Sequence, residues 1–491
     1  MVDPVIVTEN LTYTYPNSNE ATLKDVDLEV KKGEFVLITG KSGCGKSTLA
    51  RCMNGLIPHL FGGKMDGRVL IHGKDTKKHP TWELARHIGL VFQNPESQLF
   101  TLAVEDEVAF GPENFGVPRE DIEKRVDWTL TSVGMNEFRF KPVFNLSDGQ
   151  KQRVAIAANL SMLPDILVLD EPTSNLDPKG AREVFGVLKY LKEEHKKTII
   201  LIEHRTNYAV GYVDKVIIMD SGEIALTDSP GVLFKAQLLK KFGVRAPEPI
   251  FLFGDANQHV ASENHDMLKT ENLSYAYDGN GLAIQRVDMT IQKGETVGIM
   301  GPNGSGKTTL VKHFVGLLKP NEGRVLVDGI DTQKADVSML AEKVGLVLQN
   351  SDHQLFMDSV YNEVSFGVKN MKSEKEIEER VEDVLRTMDL WRLKDRHPHS
   401  LSDGEKQRVT IAAVLTRRSD VLILDEPTSG MDGYHMDLLV DKLSELKKSG
   451  LTMILVSHDI EMISKLAPRT VVMSEGKIVN DGPTSEIIQH F

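Results

Sequence analysis

Short, largely apolar runs of four or five residues recur along this chain, and each is followed within two residues by a glycine, a carboxylate, a glutamine or a histidine. The runs occupy positions 35–38, 89–92, 166–169, 198–202, 296–300, 345–348, 421–424 and 453–456. Runs of this length bounded by turn residues are typical of buried strands. Because the longest of them are strand-sized, the pattern predicts no membrane-spanning segment.

Two of these runs lead into glycine-rich loops of the same design. Gly40-Lys-Ser-Gly-Cys-Gly-Lys-Ser-Thr48 follows the run 35–38, and Gly301-Pro-Asn-Gly-Ser-Gly-Lys-Thr-Thr309 follows the run 296–300. In such loops backbone N–H groups cradle phosphates, the lysine reaches the β- and γ-phosphates, and the next Ser or Thr ligates Mg²⁺. We expect a helix to begin at Leu49 and at Leu310, which gives each motif its usual setting.

The chain is therefore predicted to bind nucleoside triphosphate at two places. The predicted nucleotide-binding residues of the two loops are Gly40, Lys41, Ser42, Gly43, Cys44, Gly45, Lys46, Ser47, Thr48, Gly301, Pro302, Asn303, Gly304, Ser305, Gly306, Lys307, Thr308 and Thr309.

The two loops belong to a long internal repeat. Lys46 and Lys307 are 261 positions apart, and the separation falls to 256 at Gly73 and Gly329, so the first copy has five extra residues near 58–63. Such a small drift over so long a period indicates two domains of one fold rather than a solenoid of short repeats. We expect one domain at 1–240, a linker without sustained periodicity at 241–267, and a second domain at 268–491.

Composition limits the class of protein. A length of 491 residues leaves ample core for two large domains. The net charge of −13 and the pI near 5.7 argue against a general nucleic-acid surface. The two cysteines, Cys44 and Cys52, suit neither a zinc site nor a disulfide framework, which favours a reducing cytoplasm. The first ten residues show no basic-then-apolar targeting pattern.

Further motifs follow each phosphate loop in the same order. They are a strand-end glutamine, a Leu-Ser-Asp-Gly segment followed by Lys-Gln-Arg-Val, an apolar run ending in Asp-Glu-Pro, and a strand-end histidine. The first half has them at Gln93, Ser147, Asp170-Glu171 and His204, and the second half at Gln349, Ser402, Asp425-Glu426 and His458. With this ordered set the chain resembles the ABC ATPases over nearly its whole length.

The resemblance implies an α/β fold of two P-loop ABC-type ATPase domains, each with a mainly parallel sheet core, an antiparallel β part and a helical signature subdomain. It implies an enzyme that hydrolyses ATP with Mg²⁺. The implied catalytic residues are Glu171, Glu426, His204, His458, Gln93 and Gln349, and the implied metal ligands are Ser47, Gln93, Asp170, Thr308, Gln349 and Asp425. The glutamate after each Walker B aspartate is placed to polarise the attacking water, a general-base task worth about 10²–10⁴ in rate.

An aromatic side chain ahead of each loop is expected to stack on adenine. The family places it near Tyr15 and Tyr277, and base–aromatic stacking is worth about 1–3 kcal/mol in related settings. Each lies in a Tyr-X-Tyr stretch with Tyr13 or Tyr275, so one tyrosine of each pair is expected to be a core residue. Stacking tolerates any base, and the preference for ATP over GTP is implied by the resemblance alone.

ABC domains work as head-to-tail pairs, so the resemblance also implies an internal pseudo-dimer. One ATP would be held by Lys46 with Ser402 and Gly404, and the other by Lys307 with Ser147 and Gly149. The third signature position departs from the usual glycine of the family. Asp148 and Asp403 stand there, and an extra carboxylate near ATP is expected to oppose closure by charge repulsion.

The segment after each strand-end glutamine narrows the resemblance. Gln93-Asn-Pro-Glu-Ser-Gln-Leu-Phe100 and Gln349-Asn-Ser-Asp-His-Gln-Leu-Phe356 are each followed by a Phe-Gly pair, at Gly111 and at Gly367. This block looks like that of the energy-coupling factor (ECF) importers for vitamins and for cobalt or nickel ions. It implies a peripheral protein at the cytoplasmic face of the cell membrane, with a transmembrane coupling subunit and a small substrate-binding membrane subunit as partners.

Two rival classes are disfavoured by the same residues. A soluble tandem ABC ATPase acting on ribosomes or nucleic acid usually has a cysteine-rich segment, zinc insertions or a long charged arm between its domains. Two cysteines, an acidic pI and a short linker argue against all three. A regulatory scaffold that does not hydrolyse ATP would be expected to lose Glu171 or Glu426, and both are present.

Overall fold

The computed structural model describes residues 4–16, 18–174, 176–247, 265–277, 281–368, 373–428 and 430–490. These residues form two compact units, one within Met1–Glu248 with the short segment Asp432–Tyr434, and one within Pro249–Met431 and His435–Phe491. Most of the predicted linker 241–267 lies outside the described residues, so its boundaries remain predictions.

The first unit contains ten strands and nine α-helices among its described residues. The strands are β1 (Pro4–Thr14), β2 (Leu23–Lys31), β3 (Phe35–Gly40), β4 (Lys64–Ile71), β5 (Lys74–Asp75), β6 (Ile88–Val91), β7 (Ile166–Asp170), β8 (Thr198–Ile202), β9 (Lys215–Asp220) and β10 (Glu223–Asp228). The helices are α1 (Lys46–Met53), α2 (Leu56–His59), α3 (Thr81–Leu84), α4 (Val104–Asn114), α5 (Arg119–Ser132), α6 (Asp148–Leu160), α7 (Pro178–Glu193), α8 (Thr206–Ala209) and α9 (Ala236–Lys241).

Two sheets form the framework of this unit. The strands of the larger sheet run in the order β10-β9-β3-β8-β7-β6, parallel from β9 to β6, with β10 antiparallel at the edge. The smaller sheet, β2-β1-β4-β5, is antiparallel. In β7 and β8 every residue is buried, as expected for parallel strands covered on both faces.

Alternate residues of these strands enter two different cores. Leu167, Leu169 and Leu201 pack with the helical part of the unit, including α4 and α6. Val168 and Ile202 lie on the opposite face and pack with the antiparallel sheet and α1. Since side chains alternate along a strand, one apolar run supplies both cores.

The second unit repeats this plan. Its strands are β11 (Asp266–Ala276), β12 (Leu282–Gln292), β13 (Thr296–Met300), β14 (Glu322–Val327), β15 (Ile330–Asp331), β16 (Val344–Val347), β17 (Val421–Asp425), β18 (Thr452–Val456), β19 (Arg469–Ser474) and β20 (Lys477–Pro483). Its helices are α10 (Lys307–Phe314), α11 (Val337–Lys343), α12 (Val360–Phe366), α13 (Glu374–Thr387), α14 (Asp403–Arg417), α15 (Gly433–Lys448), α16 (Ile460–Leu466) and α17 (Thr484–Ile487).

The sheets of the second unit have the same order as those of the first. The larger is β16-β17-β18-β13-β19-β20 and the smaller is β12-β11-β14-β15. Leu422 and Leu424 pack with the helical part, whereas Ile423 and Val456 pack with the antiparallel sheet. The α/β fold predicted for both halves is therefore confirmed, with its mainly parallel core, antiparallel part and helical part.

The starts of two helices differ from the expectations drawn from sequence. The helices after the phosphate loops begin at Lys46 and Lys307, three residues before Leu49 and Leu310. The reason is that Gly45 and Gly306 already cap them, since the amides of Leu49 and Leu310 donate to the Gly45 and Gly306 carbonyls at 2.9 and 2.8 Å. Among the described residues, no helix combines the length and the apolar composition needed to cross a bilayer.

Candidate nucleotide sites

The phosphate loop, glutamine, aspartate, glutamate and histidine of each unit lie at one edge of the parallel sheet, whereas the signature residues lie at the start of a helix. In the first unit the phosphate loop follows β3, Gln93 follows β6, Asp170 ends β7 and His204 follows β8. All four strands point the same way, so their carboxyl ends lie side by side. Ligands of open α/β sheets bind at this edge.

Each phosphate loop is tightly seated against its sheet. Gly40 has φ 145°, and a Cβ there would stand 2.1 Å from the Met219 carbonyl oxygen. Gly301 has φ 144° and the same 2.1 Å approach to the Met473 carbonyl oxygen. No larger residue fits at either position, so glycine is required for the backbone to enter the loop at this angle.

The loop lysines lie under the loops. The Lys46 ammonium donates to the carbonyl oxygens of Gly40 and Lys41 at 3.0 and 2.8 Å. The Lys307 ammonium donates to those of Gly301 and Pro302 at 2.7 and 3.0 Å. Both residues are buried, and each is the first residue of its helix, so its charge and the amino end of the helix together favour an anion.

The oxygen ligands expected for Mg²⁺ are adjacent in both units. Ser47 Oγ donates to Asp170 at 3.0 Å, and Thr308 Oγ1 donates to Asp425 Oδ2 at 2.7 Å. Among the described residues, the buried Asp425 Oδ1 has no hydrogen-bond partner. Hydroxyl and carboxylate oxygens are the donors that Mg²⁺ prefers, so these residues fit the ion. Burial, followed by the charge of Glu171, raises the pKa of Asp170 to about 6.

The Glu171 carboxylate lies within hydrogen-bonding distance of the His204 imidazole in the first unit. The Glu171 Oε1 atom lies 2.9 Å from His204 Nε2, and Gln93 Nε2 donates to Glu171 Oε2 at 3.0 Å. Burial raises the pKa of Glu171, but the charge and hydrogen bond of His204 and the charge of Lys46 outweigh it, so the pKa lies below its ordinary value. The carboxylate is therefore ionised at neutral pH, as a proton acceptor has to be.

The second unit has the same pair in a looser arrangement. Glu426 Oε1 lies 3.2 Å from His458 Nε2, and that nitrogen lies 3.1 Å from Asn303 Oδ1 of the phosphate loop. Gln349 is exposed, and within the described part of the chain its side chain makes no hydrogen bond. The structure thus brings Gln93 to the candidate base of its unit but does not bring Gln349 to Glu426.

The second tyrosine of each Tyr-X-Tyr stretch lies beside a phosphate loop. The Tyr15 hydroxyl is 3.1 Å from Thr48 Oγ1, and the Tyr277 hydroxyl is 3.3 Å from Thr309 Oγ1. Tyr13 is fully buried and its hydroxyl donates to the Gly62 carbonyl. This placement favours Tyr15 and Tyr277 for adenine stacking, which remains a prediction.

The signature serines cap helices. Ser147 precedes α6, where its Oγ accepts from the Gln150 amide at 3.3 Å, and Ser402 precedes α14, where its Oγ donates to Glu405 at 2.9 Å. Burial raises the pKa of Asp148. The Asp403 side chain lies outside the described residues. Gly149 and Gly404 follow in the first turns, and their contact with ATP remains a prediction.

Sequence reasoning missed Glu203, a fully buried carboxylate beside the first site. It accepts hydrogen bonds from Thr173 Oγ1 at 2.5 Å and from the amides of His204 and Arg205 at 2.9 and 3.1 Å. These contacts fix the turn that carries His204. Ser457 is the equivalent residue in the second unit, so the repeat gave no signal for this carboxylate.

Two sets of hydrogen bonds fix the conformation of each Gln-Asn-X-X-X-Gln-Leu-Phe block. Gln98 accepts from the Phe92 amide at 2.8 Å and donates to the Leu90 carbonyl at 2.9 Å, which closes the loop on β6. The buried Glu107 accepts from the amides of Phe100 and Thr101 at 3.0 and 2.9 Å. Gln354 and Glu363 make the equivalent bonds in the second unit.

Sequence reasoning also missed the two buried glutamates, although a signal for them was present. In the second unit, Gln354 accepts from the Leu348 amide at 2.8 Å and donates to the Leu346 carbonyl at 3.0 Å. Glu363 accepts from the amides of Phe356 and Met357 at 2.9 and 2.8 Å. In each half a glutamate stands three residues after a valine, Glu107 after Val104 and Glu363 after Val360. This repeated spacing was the signal for the two glutamates in the sequence.

Two phosphate loops on doubly covered parallel sheets, each with an aspartate, a glutamate and a histidine at the sheet edge, define a tandem P-loop nucleoside triphosphatase. The family model described as ABC transporter matches residues 23–174 and 284–429. The chain belongs to the ABC transporter family, and it is an ATP-binding protein with two ATPase domains that hydrolyses ATP.

Tandem relatives match the chain from end to end. A protein of Methanosarcina mazei with the provisional name ABC transporter ATP-binding protein is 40% identical, covering 99% of this chain and 90% of its own length. One of Caldanaerobacter subterraneus subsp. tengcongensis with the same provisional name is 37% identical, covering 99% and 93%. The structure of CbiO1 from Clostridium perfringens, part of the ABC transporter complex CbiONQ, is 41% identical over 46% of this chain and 91% of its own, with a TM-score of 0.42.

Proposed function

We propose that this protein energises an ECF-type importer by hydrolysing ATP beneath a transmembrane coupling subunit and a small substrate-binding membrane subunit. ATPases of the family generally pair with transmembrane subunits. The single observation that carries the ECF assignment is the Gln-Asn-X-X-X-Gln-Leu-Phe block, because in each unit it presents a phenylalanine at the surface instead of burying it.

In the first unit this phenylalanine lies at an apolar groove. Phe100 is 64% exposed and packs edge-to-face on Phe110, with ring centroids 4.6 Å apart. The groove has a volume of about 410 Å³, and Trp82, Leu99 and Met162 also line it. An apolar groove edged by exposed aromatic rings suits a short amphipathic helix, which would lay its apolar face into it.

The second unit presents the same pair of rings. Phe356 is 61% exposed and packs edge-to-face on Phe366, with centroids 5.0 Å apart, while the preceding Leu355 is buried. Glu107 and Glu363 each hold the turn before the helix that carries the second ring. Since two such surfaces occur in one chain, we propose that each receives one coupling helix of the membrane subunit.

For hydrolysis, we propose that Glu171 and Glu426 accept a proton from the attacking water while His204 and His458 orient them and contact the γ-phosphate. Ser47, Asp170 and Gln93 would hold Mg²⁺ in the first unit, and Thr308, Asp425 and Gln349 in the second. When bound, the ion neutralises charge on the β- and γ-phosphates. Tyr15 and Tyr277 would stack on adenine.

We further propose that each ATP is closed over by the signature residues of the other half, so that the chain acts as an internal pseudo-dimer. The proposed location is the cytoplasmic face of the cell membrane, through the membrane subunits. The net charge of −13 supports a role without nucleic acid.

The test is co-purification from membranes with Phe100→Glu and Phe356→Glu combined. Placing a carboxylate in each groove should prevent an apolar helix from docking, because an unpaired charge is costly to bury. We expect the variant to lose a transmembrane subunit and a small membrane subunit, identified by mass spectrometry, while the ATPase activity of the isolated protein stays within about twofold.

Val479→Glu is the matched control, since Val479 is also exposed and apolar but lies on β20. It should retain both membrane subunits. If the double variant retains them as well, or if the wild-type protein is recovered with ribosomes instead, the importer proposal is wrong.

A further inference from the structure

Two histidines and an aspartate converge in the first unit, at the opposite end of the sheet from the phosphate loop. His72 lies in the turn between β4 and β5, His87 directly precedes β6, and Asp165 directly precedes β7. One ligand atom from each lies within 4.8 Å of the others, the one such group found among the described residues. His72 Nε2 is 3.5 Å from the Asp165 carboxylate, and the two imidazole centroids are 5.4 Å apart.

We propose that His72, His87 and Asp165 form a binding site for a divalent transition metal ion such as Zn²⁺ or Co²⁺. Two imidazoles and one carboxylate are a ligand set typical of Zn²⁺ and its neighbours, with water in the fourth position. With ion–ligand distances of about 2.1 Å in tetrahedral geometry, rotation of the side chains has to shorten the longest separation between ligand atoms by at most about 1.5 Å.

The backbone of all three ligands is held in place. The His72 amide donates to the Val5 carbonyl at 2.9 Å, in a tight turn where His72 has φ 48°. The His87 carbonyl accepts from the Ile166 amide at 3.0 Å, and the Asp165 carbonyl accepts from the Thr198 amide at 3.0 Å. Only side-chain freedom is lost on binding, which lowers its entropic cost.

The position of Lys74 indicates which atom of His87 carries the lone pair. Lys74 Nζ lies 3.3 Å from His87 Nε2 and 2.8 Å from Glu83 Oε1. An ammonium group has no acceptor, so this nitrogen of His87 must offer its lone pair, as a metal ligand does. If an ion displaces the Lys74 ammonium from His87, Lys74 still has its ion pair with Glu83.

The second unit provides an internal comparison. Asp328, Lys343 and Asp420 occupy the positions of His72, His87 and Asp165. There Lys343 Nζ donates to Asp328 at 2.5 Å, and His265 Nε2 lies 2.7 Å from the other oxygen of Asp328. The fold therefore accepts an ion pair where the first unit has two imidazoles. A bound ion would take the place of this ion pair in the first unit and connect the β4–β5 turn to the starts of β6 and β7. The opposite ends of these two strands lead to Gln93 and Asp170.

The experiment titrates tag-free protein with Co²⁺ in excess Mg²⁺ and follows visible absorption, which reports nitrogen ligation and coordination number. We expect one saturable equivalent in the wild type, displaced by Zn²⁺, and a rise in the unfolding temperature with Zn²⁺. His72→Asp with His87→Lys copies the residues of the second unit, and this variant should fold but lose both responses. His79→Ala, a neighbouring histidine paired with Glu83, should keep them.

Asp328→His with Lys343→His should create a second equivalent next to Asp420. A wild-type spectrum that stays that of aqueous Co²⁺ would overturn the proposal. So would a saturable equivalent that persists in His72→Asp with His87→Lys, since the ion would then be bound elsewhere.

Discussion

At the scale of single residues, the candidate bases are held in a backbone conformation that their side chains do not favour. Glu171 has φ 48° and Glu426 has φ 50°, in the left-handed region. Such conformations cost about 1–3 kcal/mol and persist only where the surroundings impose them. Here the Glu171 amide donates to the Ile202 carbonyl at 2.9 Å and the Glu426 amide to the Val456 carbonyl at 2.8 Å. Each carboxylate is thereby turned toward the strand-end histidine.

Glu203 is a positioning residue for this arrangement in the first unit. Glu203→Ala leaves the Thr173 hydroxyl and the amides of His204 and Arg205 without their acceptor, at a cost of about 1–3 kcal/mol for each buried group left unpaired. We expect kcat for ATP hydrolysis to fall about tenfold to a hundredfold, because His204 loses its fixed orientation. KM for ATP should change much less.

Glu203→Gln keeps one acceptor oxygen and should restore most of the rate, and the exposed Glu193→Ala should have no effect. Steady-state kinetics of the four proteins measures both constants. Equal loss in the Ala and Gln variants would show that the negative charge, and not the hydrogen bonding of the turn, is what matters.

At the scale of elements, the candidate site residues lie at the ends of strands and in the first turns of helices. The loop after β6 is closed by Gln98, and its distal turn is held by Glu107 from the first turns of α4. This turn places Phe100 at the surface while Leu99 packs against the core. One buried carboxylate oxygen accepts from two amides and the Thr101 hydroxyl, so the turn that carries the proposed docking surface is held by hydrogen bonds within its own unit.

Glu107→Ala should therefore loosen this turn without unfolding the unit. Hydrogen exchange measured by mass spectrometry should accelerate in the peptide that contains Phe100 and Thr101, and recovery of the membrane subunits should decrease. Asp106→Ala, one position away on the exposed face of α4, is the control and should leave both unchanged. Unaltered protection of the Phe100 peptide in Glu107→Ala would show that the turn is held by other contacts.

At the scale of the whole molecule, the two halves share a fold but not every contact. The first unit pairs Glu171 with Gln93 and has Glu203 behind His204, whereas the second pairs His458 with Asn303 and has Ser457 at the position of Glu203. Both retain the glutamate, the histidine and the loop lysine. The two halves therefore share the residues proposed to act in hydrolysis and differ in the contacts that support them.

The proposed sharing of sites between halves can be tested by nucleotide trapping. Glu171→Gln with Glu426→Gln should abolish turnover while ATP still binds. In that background, a photoreactive ATP analogue should label the half that carries its adenine-stacking tyrosine. Ser402→Arg should then reduce label in the N-terminal half more than in the C-terminal half, and Ser147→Arg should do the reverse, because arginine would replace the hydroxyl beside the γ-phosphate of the other half.

Cleavage within 241–267 separates the two labelled products. Some loss in both halves is expected if the sites close together, so the asymmetry is the measured quantity. If each substitution mainly depletes the half that carries it, each half completes its own site and the pseudo-dimer proposal is wrong.

The sequence by itself determined the duplication, the α/β class and the order of the phosphate loop, glutamine, signature, Asp-Glu and histidine motifs. These features are local: a phosphate loop acts through consecutive backbone groups, and a buried parallel strand is recognisable from a run of four or five apolar residues. The strands at 198–202 and 296–300 have the same bounds in the structure as in the pattern.

Only the tertiary structure decided which groups those motifs meet. Which tyrosine of each pair reaches the loop depends on where β1 and β11 end, because Tyr13 and Tyr275 lie within these strands while Tyr15 and Tyr277 follow them. Glu203 with Thr173, Glu107 with Phe100, and His72 with His87 and Asp165 are contacts between different elements. Their partners are set by sheet order and packing, because neither strand order nor loop path is encoded by local periodicity.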